Sequence, residues 1–169
     1  MARAHQLIKL STLISALALV GCASIADIKP GTSYNDVVKQ FGKAAVSCPT
    51  ENGGTREIWT EEPSGEYAWA LTIDRDGKVG NVTQVLHKEA FNVLNQGQWN
   101  TESIRCQFGP PARVKTFADN PNQMVWEYRF YGVGYDYDML FVTFDRATNN
   151  MVSFSTGPDP ELNTSLIGK

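Results

Sequence analysis

Few residues of this chain have the type and spacing that chemistry requires. Its thiols are Cys22, Cys48 and Cys106. In an oxidising compartment Cys48 and Cys106 form most simply a disulfide, with two free buried cysteines as the alternative. Closing a loop of that size stabilises a fold by roughly 4 kcal/mol in the chain-entropy view. Beyond the N-terminal segment His87 is the sole histidine, so histidine-rich metal sites and paired-histidine chemistry are out of reach. His87 reads as a surface or strand-end residue. No serine sits in a nucleophile elbow. Asp74-Arg75-Asp76-Gly77 begins like a calcium loop but lacks the later ligands and closing glutamate, and as a hairpin turn it needs no metal. Glu61-Glu62 reads as a solvated pair beside Pro63. The expectation is a non-enzymatic chain with no cofactor and no metal.

Cys22 stands apart. Arg3 and Lys9 precede an apolar stretch, Leu10 to Val20, about the length of a signal-peptide core and too short for a permanent span. Leu19-Val20-Gly21-Cys22 resembles the lipobox of bacterial lipoproteins. That resemblance implies a signal peptide over 1–21 and a mature N-terminus at Cys22, thioether-lipidated and N-acylated, followed by a lipidated linker over 22–27. Each buried methylene adds about 0.8 kcal/mol, so several acyl chains make a stable anchor. Ala23 stands where an aspartate would favour inner-membrane retention, which implies the outer membrane with the domain facing the periplasm. Without the signal the chain keeps 13 Lys and Arg against 18 Asp and Glu, a net charge of −5. It shows no basic stripe or interleaved basic and aromatic patch, so nucleic acid is not an expected partner.

The elements that must carry these residues are written twice. Gln40-Phe41-Gly42 returns as Gln107-Phe108-Gly109, and the same offset of 67 positions carries Trp59 onto Trp126 and Val37 onto Ile104. The spacing predicts a first repeat over 28–88 and a second over 89–156, followed by a flexible tail over 157–169. In the first, Ser33 is a candidate cap for a helix from Tyr34 to Gln40, with Val37, Val38 and Phe41 as its stripe and Gly42 as its stop. In the second, Asn100 caps, Ile104 and Phe108 form the stripe, and Gly109-Pro110-Pro111 ends the helix. Strands are expected at Glu57–Thr60, Glu66–Asp74 and Val79–Leu86, with Asp76-Gly77 as a hairpin turn. Their counterparts are Met124–Tyr131, Tyr137–Asp145 and Met151–Ser155, turning at Asn149-Asn150. The expected fold class is α+β: two tandem helix-plus-antiparallel-meander units, with the helices packed on one face of a sheet.

Between Trp126 and Tyr137 aromatic residues outnumber what one strand face buries. Trp126, Tyr128 and Phe130 share the inward phase. Glu127, Arg129, Tyr131 and Tyr135 are then the candidate partner-binding set on a solvent-facing surface, where amphipathic rings favour interfaces. A glycine turn, a short helix ending in Phe-Gly, a variable loop, a Trp-bearing strand and two more strands with Asp-Gly between them resemble the SmpA/OmlA (BamE-like) outer-membrane lipoproteins. The tandem form is similar to β-lactamase-inhibitor proteins. The likeness covers roughly residues 28–155. It implies a protein-binding accessory in cell-envelope or β-barrel assembly. The inhibitor likeness implies the alternative, a module that binds a periplasmic or extracellular hydrolase. The chain departs from both patterns, with two units where the assembly factor has one and an anchor that secreted inhibitors lack. The implied partners are the membrane, through the acyl chains, and an envelope protein.

Overall fold

The two apolar stripes become two helices of eight residues, α1 (Tyr34–Phe41) and α2 (Thr101–Phe108), in register with the 67-residue offset at both ends. The computed structural model describes residues 23–132 and 137–162. The signal segment with Cys22, the turn containing Tyr135, and residues 163–169 lie outside the described residues. Asn100 caps α2 through a reciprocal pair with Ser103, its side chain accepting from the Ser103 N–H at 2.9 Å. Ser33 holds the equivalent position in α1 without a side-chain cap bond. Gly42 and Gly109 stop the helices at φ 77° and 91°. At Gly109 space matters as well, since a Cβ there would stand 3.3 Å from Ile58 Cγ2.

Each helix leads into four antiparallel strands in chain order: β1 (Val46–Pro49), β2 (Thr55–Thr60), β3 (Ala68–Ile73) and β4 (Val79–Gln84), then β5 (Arg113–Phe117), β6 (Asn120–Tyr131), β7 (Tyr137–Asp145) and β8 (Met151–Pro158). Isolated bridges Ser33–Lys78 and Asn100–Asn150 tie each helix start to the beginning of its last strand. The duplication is therefore preserved in three dimensions, although β1 and β5 were not foreseen.

The expected architecture, helices packed on one face of a sheet, is corrected. Strand accounts for 44% of the described residues and helix for 18%, as two four-stranded sheets. The reason is reach: a helix of eight residues is about 12 Å long and cannot cover four strands. α1 lies on one face of the first sheet, where Val37 packs with Trp59, Leu71, Ile73 and Val79. The other face of that sheet, Val46, Cys48, Ile58, Ala68 and Ala70, shares a core with Ile104 and Phe108 of α2 and with Tyr128, Phe130, Leu140, Val142 and Phe144 of the second sheet. The helix of one copy thus packs on the sheet of the other, and the sheets cover one another.

A disulfide and a pair of hydrogen bonds fix this crossing. Cys48 of β1 and Cys106 of α2 form a disulfide, with Cα atoms 5.9 Å apart. Arg56, opposite Cys48 in the strand register, donates to the carbonyls of Cys106 (3.0 Å) and Gln107 (3.1 Å), placing a cation at the negative end of α2. Arg56→Ala strands both carbonyls and should lower stability by about 2 kcal/mol, read as a shift in the denaturant midpoint at unchanged slope.

The first residues of the expected tail are also corrected. Gly157 and Pro158 complete β8, and Asp159 is fully buried. The periodicity ends there, but a long-range ion pair takes its place.

Candidate functional site

The residues expected to form a binding surface instead meet at the seam between the copies. β5 begins at Arg113, opposite Glu127, so the end of β6 beyond Glu127 has no β5 partner. The β2–β3 connection fills that place. There the Glu62 carboxylate accepts the Arg129 N–H, and the Arg129 guanidinium donates to the Pro63 carbonyl at 2.8 Å. Beyond β8 the chain returns over the same strands. Asp159 takes the Arg129 Nε–H at 2.7 Å, and Glu161 pairs with Arg113 and, at 3.6 Å, with Arg129. Glu127 pairs with Arg113 at 2.7 Å and Lys115 at 3.0 Å.

These contacts alter the expected site. Glu127 is 3% exposed and Arg129 11%, so neither is a solvent-facing partner contact. Each faces outward in the strand alternation, yet is covered and charge-matched by neighbours distant in sequence. Tyr131 is half-buried, its ring 5.6 Å from that of Tyr67 and 5.3 Å from that of Tyr137. Tyr135 lies outside the described residues, as does Cys22. His87 pairs with Glu89 at 3.0 Å on the surface. Asp74 spends a carboxylate oxygen on the N–H groups of Asp76 and Lys78, both at 2.9 Å, as the hairpin requires. The cleft of about 490 Å³ beside that turn, lined by Thr50, Asn52, Asp74 and Arg75, is braced by Arg75 donating to the Asn52 carbonyl. Its polar groups serve the turns.

Glu62, expected as a solvated residue, is the most perturbed carboxyl of the seam. Burial pushes it up to about 7, against the Arg129 N–H bond and the Arg129 charge, which favour ionisation. Its Oε2 has no hydrogen-bond partner among the described residues. A carboxyl raised this far holds its proton more tightly in the folded chain than in the unfolded one. Its stabilising contribution is complete below 4.5 and is lost as pH rises through about 7. Glu62→Gln should therefore flatten the pH dependence of stability between those values and raise stability at pH 8, by on the order of 1 kcal/mol after solvent screening. Denaturant midpoints measured across that range for both proteins test this. Parallel curves would exclude Glu62 as the titrating group.

Sequence reasoning missed Glu62, Asp159, Arg113 and Arg56. One signal was present: Glu62 and Arg129 are 67 positions apart, so opposite charges occupy equivalent places in the two copies. The chain matches no family model, no curated protein and no solved structure among known proteins.

Proposed function

We propose that this chain is a non-enzymatic lipoprotein, anchored through Cys22 in the outer membrane, which acts as a protein-binding accessory in cell-envelope or β-barrel assembly. The observation that carries the protein-binding part is β8. Eight residues, Met151–Pro158, form the edge of the second sheet without a single charge, and Val152 is 55% exposed. Among the described residues a backbone bond covers the start of that edge, where the Met151 N–H reaches the Trp99 carbonyl. Edge strands are ordinarily protected by charge, proline or a covering segment, because an open edge templates pairing with another strand. An edge whose uncharged middle lies between the Trp99 contact and Pro158, on a disulfide-bonded, two-sheet scaffold, suits strand addition by a β-rich partner. The lipobox-like Leu19-Val20-Gly21-Cys22 supports an anchor that would hold that edge beside the membrane in which β-barrels are inserted.

Val152→Lys combined with Thr156→Lys puts two charges on the edge at exposed positions. The pair should abolish capture of the envelope partner from detergent-solubilised membranes while changing stability by no more than about 0.5 kcal/mol. Deleting the protein should produce a barrel-assembly defect that the double variant fails to rescue. Undiminished capture by the variant would reject the edge as the contact. Stoichiometric capture of a soluble hydrolase with loss of its activity would replace the assembly role with the inhibitor role.

A further inference from the structure

The segment after Cys22 has a consequence for how the domain meets the membrane. It was expected as a linker, but its described part is docked. Ser24 caps a short 3-10 turn over Ile25–Asp27, and Ile25 is buried in the α1-side core with Trp59 and Leu71. Ala23, Ser24 and Ile25 line one pocket with Phe41, Trp59, Glu61 and Trp69. Ala23 is thereby held against the domain, and Cys22 is one residue, about 3.8 Å, further on. Acyl chains on Cys22 would have no spacer. The bilayer must then lie against whatever surrounds Ala23.

What extends from that point is a row of rings. Trp69 of β3 and Tyr67, just before that strand, stack at 6.3 Å. Tyr67 meets Tyr131 at 5.6 Å across the seam between the copies. Tyr67 is 38% exposed, and Trp69 and Tyr131 are half-exposed. Each ring has an apolar body and a polar tip, the character that places Trp and Tyr at the headgroup level of a bilayer. Glu61 lines the pocket with Ala23, and Glu66 is close enough to Glu61 and Tyr131 to act on both electrostatically. Acidic residues beside the row oppose an anionic lipid surface, which also repels a chain of net negative charge.

We propose that Trp69, Tyr67 and Tyr131 form an interfacial contact with the zwitterionic lipid headgroups around the acylated Cys22, fixing the orientation of the domain on the membrane. This rests on the lipoprotein reading above. It leaves the β8 edge to the protein partner.

The test uses the lipidated full chain carrying 3-fluorotyrosine, on phosphatidylethanolamine and phosphatidylcholine vesicles containing a little lipid with gadolinium chelated at the headgroup. Fluorine lines are assigned with single Tyr→Phe variants. The lines of Tyr67 and Tyr131 should be lost, and that of the fully buried Tyr128 retained. Replacing the zwitterionic lipid by phosphatidylglycerol should restore them. If all lines stay sharp while the protein floats with the vesicles, the interfacial contact is wrong and the anchor stands. Lines lost equally on phosphatidylglycerol overturn the zwitterionic assignment. A protein that does not float, with Cys22 unmodified by mass, removes the anchor and this inference together.

Discussion

Reducing the Cys48–Cys106 disulfide, or replacing both residues in Cys48→Ser with Cys106→Ser, should lower the stability of the domain by about 4 kcal/mol. The bond closes a loop over a sequence separation of 58 residues, and its Cα separation of 5.9 Å is an ordinary value for a bridge. Nearly all of the first copy's sheet, from β2 onward, lies inside that loop. The loss would be felt where α2 crosses to the first sheet, because β1 is a four-residue edge strand with little packing of its own. Arg56 and the shared core of Ile58, Ala70, Ile104 and Phe108 would then hold the copies together alone. The comparison to make is oxidised against reduced protein in urea, monitored by the tryptophans. The midpoint should fall, and the slope should rise as the unfolded chain becomes less compact. A midpoint change equivalent to less than about 1 kcal/mol would mean that the core, not the bridge, sets the angle between the copies. Amide exchange adds a local readout: on reduction, protection should fall first in β1 and α2.

What could be read beforehand followed from local pattern. The helix positions came from apolar spacing and a terminal glycine, and β7 came from its place between two turn signals. The β7 limits survive unchanged, and α1 runs one residue beyond its expected end at Gln40, to Phe41. β1 and β5 escaped notice because edge strands carry weak signals: Val46–Pro49 contains a proline, and Arg113–Phe117 is mostly exposed. The layer order also escaped notice. α2 lies on the neighbouring sheet through long-range contacts, with Gly109 close against Ile58, and no periodicity encodes such contacts. Charge at the seam was hidden for a third reason. Glu127 and Arg129 alternate with buried rings, and local pattern assigns such positions to solvent. Their burial comes from Glu62, Asp159 and Glu161, at separations of 30 residues and more for the Arg129 contacts. The cysteines were the exception, since two thiols admit a single pairing.

The seam carries the other large effect. Arg129→Met leaves the Asp159 carboxylate fully buried, with the Glu161 N–H and the Arg113 guanidinium at 3.8 Å as its remaining partners among the described residues. Breaking a buried ion pair from one side typically costs about 3–5 kcal/mol, whereas removing both members in favour of apolar groups is often close to neutral. Arg129→Met should therefore destabilise by about that amount, and Arg129→Met with Asp159→Leu should recover most of it. Additive losses in this cycle would show that the two residues stabilise separately. Acidity gives a second check. Burial opposes ionisation of Asp159, but the Arg129 bond, the Glu161 N–H and the Arg129 and Arg113 charges outweigh it and hold the carboxyl below its ordinary 3.8. A depressed carboxyl stabilises the fold above its unfolded value and loses that contribution as pH falls through its lower folded value. The penalty of Arg129→Met should thus be largest near neutrality and shrink in acid. Glu62, on the backbone N–H of the same arginine, has the opposite window: its contribution is complete below 4.5 and is lost as pH rises through about 7. The joint contribution of these two carboxyls, both bonded to Arg129, is therefore greatest between 3.8 and 4.5, and each boundary moves independently when its own carboxyl is replaced.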